Sequence, residues 1–200
     1  MSGISDYSAL LMDAGDYSGN NGIAHLMPRF VGLAETKLNR VLRVGAMEKS
    51  AVVTLVTGDG DLPDDFIEMR QTLSADGRNL RSWSLQELSS RFGSFGGNPI
   101  GYAVVGNQLR VRPTTDGDIG ITYYAKLPGL TPATPTNWLL TSAPDVYLYA
   151  VVEEIAIWER DAEKAGSAKA LKDQAIFGLR INDERARWGN GQVVIGEPTP

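Results

Sequence analysis

The chain has no cysteine and a single histidine, His25, among its 200 residues. Without cysteine there can be no disulfide framework, no thiolate zinc site and no cysteine nucleophile, and the absence suits a reducing compartment. One histidine rules out multi-histidine metal sites and leaves little for His-based acid–base relays. Next to Leu26 and Met27, at the start of a helical pattern, His25 reads as a structural or solvent-facing side chain. Carboxylates alone can drive hydrolysis, so composition argues against an enzyme without eliminating one. Basic residues are outnumbered: 19 Lys and Arg face 24 Asp and Glu, a formal net charge of -5. That balance speaks against a broad basic surface for nucleic acid, though not against a wall that DNA slides past. Long apolar runs are missing as well, so no membrane span is expected. Met1–Asp16 carries acids and no basic residue, unlike a signal peptide.

What remains is an ordinary globular composition, 42% hydrophobic, arranged as helix, then strands, then helix. Ser5–Ala14 is a short helical candidate, and Asp16–Gly22 (DYSGNNG) reads as a loop. In Ile23–Val44 the apolar residues Ile23, Leu26, Met27, Phe30, Val31, Ala34, Leu38, Val41 and Leu42 recur in steps of three and four. That spacing predicts an amphipathic helix, continuous from Met27 because Pro28 is tolerated only in a first turn. Glu35, Lys37 and Arg40 fall on its other faces and read as solvated. From Ala46 the period shortens. Ala51–Val56, Gly101–Val105, Gln108–Arg112 and Asp118–Tyr124 are short strand patterns, the middle two joined by the hairpin signal Gly106-Asn107. Trp83–Leu88 reads as a helical turn between strands. The acidic run Asp59–Asp65 does not match a calcium loop, because Pro63 interrupts it and the ligand spacing fails, so it reads as an acidic turn.

Pro128–Pro135 is a connector to two further helices. Ser142-Ala-Pro-Asp145 has the residues of a helix cap, and Val146–Trp158 follows as a helix apolar around its whole circumference. A helix apolar on all sides must be buried on all sides. Three helices and a small sheet are too little to enclose it, so a neighbouring copy is expected to cover part of it through Val146, Leu148, Tyr149, Val152 and Ile155. Asp161 can cap a last helix to about Trp188, with Leu171, Ala175, Ile176, Leu179 and Asn182 along one stripe. Residues 189–200, rich in Gly and Pro around Val193, Val194 and Ile195, read as a flexible tail whose β-branched run suits strand addition to a partner.

The fold class expected from this order is α+β: an antiparallel helical bundle from residues 1–45 and 138–188, with a small antiparallel β-sheet or sandwich domain inserted at 46–130, and the tail at 189–200. Two readings from other classes compete with an assembly role. One is a β-sandwich module binding carbohydrate through the faces of Trp83, Tyr102, Tyr123 and Tyr124. The other is a carboxylate hydrolase using Asp59–Asp65.

Five phrases in order resemble the head-to-tail adaptor proteins of tailed bacteriophages, among them the tail tubular protein A-like adaptors of podoviruses. They are Phe30-Val-Gly-Leu-Ala-Glu-Thr-Lys-Leu-Asn-Arg40; Leu62-Pro63 with Asp65-Phe66; Gly101-Tyr102 leading through Gly106-Asn107 to Leu109 and Pro113; Ile121-Thr-Tyr-Tyr-Ala-Lys126; and Asn137-Trp-Leu-Leu140 with Ala143-Pro-Asp-Val-Tyr-Leu-Tyr149. The resemblance implies a structural virion protein with no enzyme activity and no cofactor. It implies a dodecameric ring, compatible with a monomer in isolation, seated between a portal protein and a tail nozzle or tail tube protein. Phage DNA would pass non-specifically through the ring during ejection, no membrane would be involved, and assembly would take place in the host cytoplasm. Val193, Val194 and Ile195 are then the candidate portal-binding tail. A neck or tail-completion protein below the adaptor is the alternative within the same particle.

Overall fold

A computed structural model describes residues 3–188. The chain divides into two compact units, one formed by residues up to Val44 together with those from Leu127 onward, the other by Gly45–Lys126. The secondary structure is α+β.

The helical unit opens with α1, Tyr7–Ser18. Asp6 caps it by accepting the Ala9 N–H at 2.9 Å, and Gly19, at φ 73°, ends it in the left-handed conformation that glycine adopts without a Cβ clash. The helix therefore runs into the stretch expected to be a loop: Ser18 Oγ turns back onto Gly15 O, and the break comes only at Gly19. A 3₁₀ turn over Asn21–Leu26 leads into α2, Met27–Val41, with Pro28 in its first turn. Met27, Phe30, Val31, Ala34 and Leu38 form its buried stripe.

The β unit contains β1 (Glu48–Leu55), β2 (Asp59–Asp61), β3 (Phe66–Leu73), β4 (Arg81–Ser82), α3 (Leu85–Phe92), β5 (Gly101–Val105), β6 (Gln108–Arg112) and β7 (Gly117–Ala125). One sheet has the order β1-β7-β3 and is antiparallel; the other has the order β2-β6-β5-β4. The second is mixed rather than antiparallel throughout, because β4 pairs with β5 in parallel. The two sheets share one core, to which Val53, Leu55, Ile119, Ile121 and Tyr123 come from the first and Tyr102, Leu109 and Val111 from the second. Gly106-Asn107 closes the β5–β6 hairpin, with Val105 opposite Gln108. A second tight turn joins β1 to β2: Thr57 and Gly58 both have positive φ, and Val56 and Asp59 exchange two backbone hydrogen bonds. Glycine is required there, since a Cβ on Gly58 would lie 2.7 Å from the Val111 carbonyl oxygen. The acidic run is thus partly strand, because this turn sends Asp59–Asp61 back along β6.

The chain returns to the helical unit through α4 (Trp138–Ser142), α5 (Pro144–Glu159) and α6 (Ala162–Trp188). Asn137 caps α4, its Oδ1 accepting the Leu140 N–H at 2.9 Å. Ser142 does not cap α5 as expected. It is the last residue of α4, and its hydroxyl donates to Trp138 O at 2.6 Å. Arg160, left-handed at φ 63°, makes the sharp α5–α6 connection, and Asp161 caps α6 by accepting the Lys164 N–H at 3.0 Å.

Helix α5 is the axis of the unit. It packs against α1, α2, α4 and α6, and Val146, Tyr147, Val151, Val152 and Ile155 are fully buried. Each such side chain contributes about 2 kcal/mol of gross burial free energy. The expectation that a neighbouring copy must cover this circumference does not hold for Val146, Val152 and Ile155, which the chain encloses itself. The physical reason is that α4 and a longer α1 supply packing surface that periodicity alone did not reveal. Leu148 and Tyr149 are half-buried, while Ile157 and Trp158 are each about half exposed.

Candidate functional site

Three of the polar clusters and one groove bear on the residues singled out in the sequence. The first cluster fastens the connector that re-enters the helical unit. Glu35 and Asn39 lie four apart, on one face of α2. Asn39 Oδ1 accepts the Leu127 N–H at 2.7 Å, and Glu35 Oε1 accepts the Leu130 N–H at 2.7 Å and the Tyr147 hydroxyl at 3.0 Å. Asn137 Nδ2 donates to Pro128 O and to the Tyr147 hydroxyl oxygen, both at 2.7 Å. Burial raises the Glu35 carboxyl above its ordinary value against the pull of these donors. Burial, and then the Glu35 charge, also raises the Tyr147 phenol, which stays protonated and donating. Glu35 is therefore a positioning group for backbone, not the solvated residue the helical pattern implied. The legible signal was the pairing of Glu35 with Asn39 one turn on, and an Asn placed just before Trp138-Leu-Leu.

The second cluster sits beside α5. Glu153 and Glu154 are consecutive and buried, at 7% and 6% exposure. Lys37 of α2 pairs with Glu153 at 3.5 Å and closely with Glu154, and Lys172 of α6 pairs closely with Glu153. Burial disfavours the Lys37 ammonium, but the hydrogen bonds and charges of Glu154 and Glu153 outweigh it and its pKa rises. The arrangement holds α2, α5 and α6 by charge, and each carboxylate is neutralised.

The third cluster lies in the β unit. The Asp65 carboxylate accepts from Lys49 Nζ at 2.7 Å and from the Tyr123 hydroxyl at 2.8 Å, and Asp65 O accepts the Lys126 N–H at 2.7 Å. Burial and the Asp65 bond push the Tyr123 phenol up to about 12. At the other end of the acidic run, Asp59 accepts from Arg112 at 2.9 Å. Among the described residues no group of three or more His, Asp or Glu is placed to hold a metal ion. Nor do the aromatic residues form a stacking platform. Tyr102, Tyr123 and Tyr124 are buried, and the half-buried Trp83 ring lies under the Arg91 guanidinium, 4.9 Å from its centroid.

The groove, about 490 Å³, runs along α2, α5 and α6 in the helical unit. Ala34, Leu38, Val41, Ala150, Ile176 and Phe177 give it an apolar floor and wall. Of the residues expected at a subunit interface, only Leu148 and Tyr149 keep partial exposure, and none of the five lines the groove. Val193, Val194 and Ile195 lie outside the described residues.

Glu35, Asn39, Asp65, Asn107 and Asn137 of the five sequence phrases are thus fasteners within their own units. Compared with known proteins, the chain matches the family described as SU10 adaptor protein over residues 5–195. No curated protein matches it.

Proposed function

The chain belongs to the SU10 adaptor protein family, a family of structural phage adaptors, and from that premise we propose that it is the head-to-tail connector subunit of a tailed phage. In this reading twelve copies form a ring between the portal protein and a tail nozzle or tail tube protein, and DNA crosses the ring during ejection. The observation that carries the reading is the extent of the family match, residues 5–195, which takes in both units. Two features support it. The net charge of -5 suits a channel wall that releases DNA rather than binding it. The polar side chains of the clusters described above bond to backbone or to one another, as in a structural subunit.

Copies would meet through residues of α5 that keep some exposure, Leu148 and Tyr149 in its first half and Ile157 and Trp158 at its end. The portal would be held by the tail through Val193, Val194 and Ile195, repeated around the ring so that individually weak contacts add. The test is to add the purified chain to portal-bearing, tail-less heads of its own phage and image the portal vertex by cryo-electron microscopy. A ring of twelve directly under the portal is expected. Density separated from the portal by another protein would make it a neck or tail-completion protein instead. Truncation at Gly189 should abolish docking, and Leu148→Asp should block ring closure while leaving the monomer folded by circular dichroism.

A further inference from the structure

The groove along α2, α5 and α6 is an apolar recess of about 490 Å³. Its wall includes two large apolar side chains that face water, Phe177 of α6, 65% exposed, and Val41 of α2, 45% exposed. Its rim is cationic. Lys37 and Lys172 are spent on Glu153 and Glu154, but Arg40, Lys169 and Arg180 also line it, against Asp173 as the remaining acid. Arg180 is held at the groove by donating to Val41 O, which bridges α6 to the end of α2. An occupant should therefore be apolar in the middle and carry negative charge beside that.

We propose that the groove takes the chain's own residues 189–200 in the unassembled subunit. The composition fits. Val193-Val-Ile195 supplies three β-branched side chains, and the one ionisable side chain in the segment is Glu197, opposite in sign to the rim. The reach fits as well. At 1.5 Å per residue, Phe177 lies about 17 Å back along α6 from Trp188. Gly189-Asn-Gly191 is a sequence that reverses a chain after a helix. At about 3.3 Å per residue, an extended return from Gly191 brings Ile195 level with Arg180 and Glu197 level with the turn of α6 that holds Phe177. The segment need not leave its own subunit to cover Phe177. Self-docking stands whether or not the tail later reaches a portal. If it does, the groove keeps an apolar, strand-competent run out of premature contacts until a better surface competes for it.

Because the natural chain has no cysteine, a pair of introduced thiols reports proximity without background. Full-length Phe177→Cys/Val194→Cys protein is oxidised under mild conditions at low concentration and run on a non-reducing gel. An intrachain crosslink is expected at least tenfold faster than in Met12→Cys/Val194→Cys, since Met12 is exposed on α1 away from the groove. Val41→Cys/Val194→Cys serves as a second pair should loss of the Phe177 ring weaken docking. Adding Glu197→Lys should slow the crosslink several-fold at low salt, with the difference shrinking at high salt. Rates equal to the Met12 control in both pairs would overturn the proposal. So would a crosslink that forms only between chains and rises with protein concentration, since the occupant would then be a second copy.

Discussion

The two units hold their registers by different means. In the β unit, burial does the work: along β7, Ile119, Ile121 and Tyr123 point into the core while Gly120 and Thr122 do not. A slip of one residue would turn that set outward, so the apolar pattern specifies the pairing. Ion pairs there stay toward the rim, as with Lys49–Asp65 and Arg70–Glu48, where side chains keep roughly a third to a half of their exposure. In the helical unit, α5 is apolar on every side, and rotating it about its axis would exchange one apolar face for another. Polar groups supply the missing orientation: Glu153 and Glu154 meet Lys37 and Lys172, and Tyr147 meets Glu35 and Asn137. A rotated helix would leave those charges buried and unpaired. The contrast teaches that, among the described residues, buried charges are found where the apolar pattern carries no directional information.

The comparison is broken or sharpened by substitutions in the two units. The largest effect should come from Glu153→Ala, which strands Lys172 in a buried position; a loss of about 3 kcal/mol is expected in urea unfolding followed by far-UV circular dichroism. Replacing the pair together, Glu153→Leu with Lys172→Met, should recover most of that stability yet broaden the side-chain signals of the helical unit in NMR spectra. Unchanged spectra would mean that the charges do not orient α5. Next is Asn137→Ala, which removes the α4 cap, one hydrogen bond to the connector at Pro128 O and one to the Tyr147 hydroxyl of α5, at about 2 kcal/mol.

In the β unit, Tyr123→Phe removes one bond to Asp65 and should cost about 1 kcal/mol at neutral pH. Its pH signature is sharper. Below pH 10 the phenol is neutral in both folded and unfolded chains. Between 10 and about 12 only the unfolded chain releases the proton, so wild-type stability falls across that window. Tyr123→Phe should be spared that fall, and the gap between the two proteins should close as pH rises in unfolding titrations. Smallest is Lys49→Ala, which breaks a largely exposed pair and should cost no more than about 0.5 kcal/mol. A Lys49 effect as large as that of Glu153 would dissolve the contrast between the units.

Much of this was legible before any coordinates. The stripe from Met27 to Leu38, the hairpin at Gly106-Asn107, the strand ending in Tyr123-Tyr124 and the cap at Asp161 all follow from local period and turn chemistry, because neighbours in sequence make those contacts. Strand β3 was not legible. Its register shifts twice, between Phe66 and Glu68 and between Met69 and Gln71, and each irregularity resets the alternation by which a strand is recognised. The cap at Ser142 was misread because Ser-x-Pro-Asp fits a capping pattern equally well when the serine ends a preceding short helix.

What the sequence determined by itself is what local chemistry decides: the α+β order of elements, the absence of cysteine-based and multi-histidine chemistry, and a helix at 146–158 that has to be buried. What only the tertiary structure decided is what buries it. Four helices from separate parts of the chain close around Val146, Val152 and Ile155, and Glu35 and Asn39 reach Leu130 and Leu127 far along the sequence. An apolar or polar side chain signals that it needs a partner, but the signal is the same whether the partner comes from its own chain or another, and only the packing of distant segments makes the choice.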